Sequence, residues 1–159
     1  MLFAIPSTAT IAGMKFSRFS VLLLGALLCT PGRAEVRLDQ VRLPPGFRIS
    51  IYAQDVENAR QMVRAEQGTI FVGSRNAGKV WAISDTDADQ RADRVRLIDS
   101  GLSMPSGVEF RDGALYVAAI ERVLRYDSIE SSLDQPPTPF VVSDALPDNK
   151  SHGWKYLRF

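Results

Sequence analysis

Residues 107–126 read GVEFRDGALYVAAIERVLRY, and they repeat a pattern that begins at Met62, where residues 62–84 read MVRAEQGTIFVGSRNAGKVWAIS. Val63 answers Val108, Gly68 answers Gly113, and Thr69-Ile70-Phe71-Val72 answers Ala114-Leu115-Tyr116-Val117, all at one offset of about 45 residues, the spacing of β-propeller blades. A third copy opens in Trp154-Lys155-Tyr156-Leu157-Arg158-Phe159, with Leu157 and Phe159 at the places of Val108 and Phe110. Each blade buries its faces against its neighbours, and a ring needs roughly four blades or more to close. The sequence is therefore expected to be the front part of a longer protein, about two blades and the start of a third.

The fold class that follows is all-β. The first repeat predicts strands near residues 61–65, 69–74, 79–84 and 94–99, with turns at 66–68 and 76–78 and an acidic loop over 85–93. The second predicts strands at 107–110, 114–119, 122–126 and 139–143, with Arg111-Asp112-Gly113 as a tight hairpin turn. One helical turn is expected over 128–133, ended by Pro136-Pro137, and no segment sustains a helical period. Ahead of the first repeat, Pro44-Pro45-Gly46 marks a turn. Beyond it, residues 47–53, FRISIYA, alternate apolar and polar with a period of two, which predicts a strand with one buried face. Such a leftover strand is expected to complete the last blade of a ring.

Residues 1–34 are expected to be a signal peptide rather than part of the fold. A basic start around Lys15 and Arg18 precedes an apolar run over 21–28, too short to span a bilayer comfortably, and Gly32-Arg33-Ala34 supplies the small residues of a cleavage site. Met14 is the better initiator of such a signal than Met1. The mature domain would then be residues 35–159, periplasmic or secreted, with no membrane span. Its removal takes Lys15, Arg18 and Arg33 and no acidic residue, so sixteen of the 19 basic residues remain against all 18 acidic ones. A near-neutral balance excludes nucleic acid as the expected partner, since phosphate binding needs a clustered basic excess. Cys29, the single cysteine, leaves with the leader, so neither a disulfide nor a thiolate metal site can hold the mature chain.

Two constellations carry candidate chemistry. Asp85, Asp87, Asp89 and Asp93 fall at positions one, three, five and nine of a calcium-type loop, where short carboxylates on a tight turn converge on a hard cation. The pattern lacks the glycine of position six, where Gln90 stands, and the acid of position twelve, where Arg96 stands; the plain alternative is a solvated acidic hairpin loop. The second candidate is His152, the one histidine, in a loop running into the third repeat. Imidazole is the side chain suited to proton transfer near neutral pH, and propellers bring strand starts towards their central channel. A surface histidine without chemistry is the alternative.

Several stretches together resemble the glucose/sorbosone dehydrogenases, soluble quinoproteins that use pyrroloquinoline quinone (PQQ), and in particular their sorbosone dehydrogenase-like branch. They are Leu43-Pro44-Pro45-Gly46-Phe47, the loop over 85–93, Gly101-Leu102-Ser103-Met104-Pro105-Ser106-Gly107-Val108, Ala114-Leu115-Tyr116-Val117-Ala118, Val123-Leu124-Arg125-Tyr126 and Ser151-His152-Gly153-Trp154-Lys155. The likeness covers residues 43–159. It implies a six-bladed propeller, PQQ and calcium as cofactors, oxidation of a sugar or sugar aldehyde, and His152 as the base that takes the substrate hydroxyl proton. It also implies that the quinone contacts and the catalytic calcium lie in later blades, so that no residue of this chain is assigned to the quinone and the fragment alone would not turn over. The residue before the family's base is often acidic, and here it is Ser151. Two other functions stay open: a non-catalytic propeller that binds a protein or polysaccharide, and a calcium-dependent lactonase-like hydrolase.

Overall fold

The computed structural model describes residues 36–159. The expected signal peptide, with Cys29, lies outside the described residues.

Eight strands follow one another: β1 Ala59–Arg64, β2 Ile70–Ser74, β3 Val80–Ser84, β4 Arg94–Asp99, β5 Gly107–Arg111, β6 Ala114–Ala118, β7 Val123–Tyr126 and β8 Phe140–Ser143. Each set of four pairs in chain order, so the strands form two antiparallel sheets, β1-β2-β3-β4 and β5-β6-β7-β8. The turns explain part of the ordering, because two of the hairpins close where the sequence supplies residues that tolerate a left-handed backbone. Asp112 and Gly113 lie at φ 52° and 77° between β5 and β6, the pair of positive angles that a two-residue hairpin with the twist of its strands requires. Between β1 and β2, Gly68 at φ 97° does the same work, and Ala65 and Thr69 close the hairpin with a 2.8 Å backbone bond. Short 3-10 turns at Leu38–Gln40 and Ile129–Ser131 are the only helical elements among the described residues.

Burial is graded across each sheet. The second strands and β3 are mostly buried, while the last strands, β4 and β8, are largely exposed. The sheets pack face to face around one core, in which Phe71, Val80, Ala82 and Ile98 of the first meet Val108, Leu115, Val117, Leu124 and Tyr126 of the second. Each of the valine, leucine, isoleucine and phenylalanine side chains among them, taken out of water, contributes about 1.5–3 kcal/mol. At the seam β2 approaches the backbone ahead of β5 so closely that a Cβ on Gly73 would lie 2.4 Å from the Pro105 carbonyl oxygen. The Ser74 amide donates to that same oxygen at 3.1 Å.

Polar ties join the sheets around this core. The Tyr126 hydroxyl donates to the Asp99 carboxylate, Arg96 Nε lies 2.5 Å from an oxygen of Asp134, and the Glu130 carboxylate accepts from the amides of Gln67 and Thr69. Burial, and then the Asp99 carboxylate, push the Tyr126 phenol well above the usual tyrosine range.

Residues 154–159 lie against the second sheet. Ser106 Oγ donates to the Lys155 carbonyl at 3.3 Å, Phe159 meets Tyr116 edge to face at 4.8 Å, and Arg158 reaches the buried Glu109 at 3.6 Å. Gln61 Nε2, from β1, donates both to the Val108 carbonyl at 2.9 Å and to the Leu157 carbonyl at 3.3 Å. The segment joins no ladder; its own side chains and scattered carbonyls hold it against the second sheet.

One expectation is corrected. Residues 47–53 form no strand, and Phe47, Ile49 and Ile51 are exposed, Phe47 at 69%. Alternation specifies an amphipathic face but names no partner edge, and among the described residues the backbone bond that ties this stretch to a sheet-bound loop runs from the Ala92 amide to the Tyr52 carbonyl at 2.8 Å. The strands themselves fall where the repeat predicts them, and the class is all-β.

Candidate functional site

The acidic loop joins β3 to β4. Its turn forces Ala88 and Gln90 to φ 61° and 69°, so Gln90 adopts the left-handed backbone that a glycine at position six would supply. Backbone amides then organise the carboxylates: Gln90 donates to Asp85 Oδ2 at 3.1 Å, Asp89 to Asp87 Oδ1 at 3.1 Å, and Arg91 to Asp89 Oδ1 at 2.8 Å. Each of the three keeps its other oxygen, and one ligand oxygen from each of Asp85, Asp87 and Asp89 lies within 4.8 Å of the others. Asp85 Oδ1 is buried and has no hydrogen-bond partner. Three hard oxygens on one turn, one of them orphaned, suit a hard cation whose remaining ligands are waters or carbonyls.

Asp93 is not part of that group. Its Oδ2 accepts from the Thr86 amide at 2.6 Å and the Thr86 hydroxyl at 2.5 Å, closing the base of the loop, and the hydroxyl bond above all holds its carboxyl below the usual range. Arg96, at position twelve, turns instead to Asp134 and Ser84. Beside the loop, Tyr52 lines an open cavity of about 610 Å³ together with Ile51, Arg91 and Asp93. Partial burial, then the Asp85 charge, raises the Tyr52 phenol pKa.

His152 stands at the other end of the first sheet. Register pairs Ala59 with Ser74, so Arg60, just inside β1, and Arg75, just beyond β2, emerge together at the end where β2 turns into β3; the acidic loop leaves from the opposite end of β3. Trp154 is seated at the arginine end. The guanidinium carbons of Arg75 and Arg60 lie 4.5 and 5.9 Å from its ring centroid, and the His152 ring lies 5.4 Å from it. His152 is exposed at φ 58°, in a bend so tight that a Cβ on Gly153 would overlap the Asn149 carbonyl oxygen at 1.6 Å. Asn149 Oδ1 accepts from the Ser151 amide at 2.8 Å, and Lys155 Nζ donates to the Gly153 carbonyl at 2.8 Å. Among the described residues no hydrogen bond reaches the imidazole, so no carboxylate orients it.

The structure therefore groups Asp85, Asp87 and Asp89, sets Asp93 aside, and places His152 far along the sheet from all four. Arg60 and Arg75 escape a reading of the sequence because nothing in their spacing links them; only the β1–β2 register and the return of the chain at Trp154 bring them to one place. Comparison with protein-family profiles, with curated proteins and with solved structures gives no match for this chain.

Among the described residues no helix is long and apolar enough to cross a membrane.

Proposed function

We infer that this chain belongs to an exported, PQQ-dependent oxidoreductase of sugars or sugar aldehydes, similar to the glucose/sorbosone dehydrogenases. In this reading the two sheets are consecutive blades of a six-bladed β-propeller, and residues 154–159 are the inner strand of the next. Support comes from the packing: β5 lies on the first sheet and residues 154–159 lie on the second through corresponding contacts, with Gln61 touching both inner segments.

The observation that carries the reading is His152, an exposed imidazole held on a tight bend at the sheet end where β1 begins, beside an aromatic ring and two cations. A base so placed is open to substrate and able to take the proton of a sugar hydroxyl. No residue of this chain is assigned to the quinone, which when bound supplies a two-electron acceptor. The chain's own part is to hold the proton acceptor, and Asp85, Asp87 and Asp89 would hold a structural calcium remote from it.

The full-length protein, supplied with PQQ and calcium, is expected to reduce a dye with aldoses or sorbosone. His152→Ala should lower turnover by about 100-fold or more without loss of folding, since the side chain is exposed. Unchanged turnover in that variant would remove His152 from the reaction. A non-catalytic binding propeller is the competing reading, favoured by the absence of an orienting carboxylate on His152; a folded protein with no dye reduction on any sugar tested would decide for it. A lactonase is disfavoured because the carboxylates and the histidine sit at opposite ends of a sheet.

A further inference from the structure

Arg60 and Arg75 come from different parts of the chain to one indole ring. Both are exposed, and among the described residues neither has an ion pair; the nearby Glu57 is taken by Lys79 at 3.2 Å. Their charges lie over the Trp154 ring, and among the described residues neither guanidinium donates a hydrogen bond, so the N–H pairs that grip a carboxylate through two parallel bonds are available. Two cations held at one place without an acid repel each other, and an anion placed between them relieves that repulsion. Trp154 is half-buried and its ring also faces His152, so a bound ring with apolar faces could rest on the same surface.

We propose that Arg60, Arg75 and Trp154 form a subsite for the carboxylate of an acidic sugar, placing its ring against Trp154 and a hydroxyl towards His152. The substrate class this assigns is a uronic or aldonic acid rather than a neutral aldose. The assignment rests on the reading that the His152 end takes a sugar, but the binding itself does not depend on catalysis.

The test is tryptophan fluorescence of the unmodified chain titrated with glucuronate, glucose and acetate, with no quinone present. Trp81 is 5% exposed in the core, so a ligand-dependent change reports Trp154, and its loss in Trp154→Phe checks that assignment. Glucuronate is expected to bind, glucose to bind at least tenfold more weakly, and Arg75→Gln and Arg60→Gln each to weaken glucuronate roughly tenfold, the worth of one charge-assisted contact. Affinity should also fall with added salt. Acetate binding as tightly as glucuronate would uphold the anion subsite and count against the sugar reading. Equal binding of glucose and glucuronate, indifference to both arginine substitutions, or no binding of any anion would overturn the proposal.

Discussion

The rings of Phe71 and Phe110 stack 6.1 Å apart with their planes 9° from parallel, and one repeat later Tyr116 and Phe159 meet at 4.8 Å, edge to face instead of stacked. Phe71 and Tyr116 hold matching places in β2 and β6, as Phe110 and Phe159 do in β5 and the last segment. In both cases a ring on the second strand of a sheet receives a ring from the segment that follows that sheet. Phe110→Ala should therefore cost about 2–3 kcal/mol, below the figure for a wholly buried phenylalanine because Phe110 is only partly buried against the core. Phe159, 58% exposed, should cost well under half of that. Urea denaturation of the two variants checks the ranking, and equal losses would mean that the two contacts are not equivalent.

The same stacking demands a missing side chain at Gly73. A Cβ there would meet the Pro105 carbonyl oxygen at 2.4 Å and the Ser106 carbonyl oxygen at 3.0 Å, both backbone atoms that cannot swing aside. Gly73→Ala is expected to destabilise by about 1–3 kcal/mol, as overpacking does, whereas Gly101→Ala meets no clash, its added Cβ finding nothing within 4 Å, and its cost is the backbone strain of a side chain at φ 76°. A thermal melt in which Gly73→Ala is as stable as the parent would show that the sheets are not pressed together at this seam.

Tyr126 gives stability a pH dependence with a definite sign. Its phenol is 1% exposed and donates to Asp99, so the folded state keeps the proton to a higher pH than the unfolded chain, whose tyrosines ionise near about 10. The group's contribution is complete below that value and is lost as pH rises from there towards the raised folded value. Stability should fall above about pH 10, and Tyr126→Phe should reduce the slope while costing about 1–2 kcal/mol at neutral pH. An unchanged alkaline slope in the variant would place the titrating group elsewhere.

Much of this architecture was legible in the order of residues. Asp112-Gly113 and Gly68 announce their hairpins because few residues accept a positive φ, and the matching runs around Phe71 and Tyr116 announce two units. What was not legible depends on partners distant in the chain. The alternation of residues 47–53 describes a face and not the edge it would need. The regular spacing of Asp85, Asp87, Asp89 and Asp93 conceals that Thr86 captures the last. Arg60, Arg75 and Trp154 carry no local signal, and their meeting is a product of register and of the chain's return to the first sheet.

Glu130 tests whether the two units act as one cooperative body. It rises from the short 3-10 turn of the second unit to cap the β1–β2 turn of the first, accepting from Gln67 and Thr69. Glu130→Ala should cost about 1 kcal/mol and speed hydrogen exchange at those two amides first, if the sheets otherwise hold together. Exchange unchanged at both amides would mean that the cap contributes nothing in solution.

The carboxylate loop separates a cation site from a merely polar turn. Asp85 Oδ1, buried and unpartnered, stands with single oxygens of Asp87 and Asp89, while Asp93 is spent on Thr86. Calorimetry with calcium is therefore expected to show binding that Asp85→Asn, Asp87→Asn and Asp89→Asn each weaken, and that Asp93→Asn leaves largely in place. At roughly a hundredfold excess over Kd, calcium should stabilise the fold by about 2.7 kcal/mol. Asp93 should show itself through acid instead. Its carboxyl is held below the usual range by Thr86, so its contribution is present above the ordinary carboxylate pKa of about 3.9 and is lost as pH falls through the lower folded value. Asp93→Asn should flatten that acid limb. No heat with calcium and no rise in Tm would leave the loop a solvated turn, its three aspartates organised by backbone amides alone.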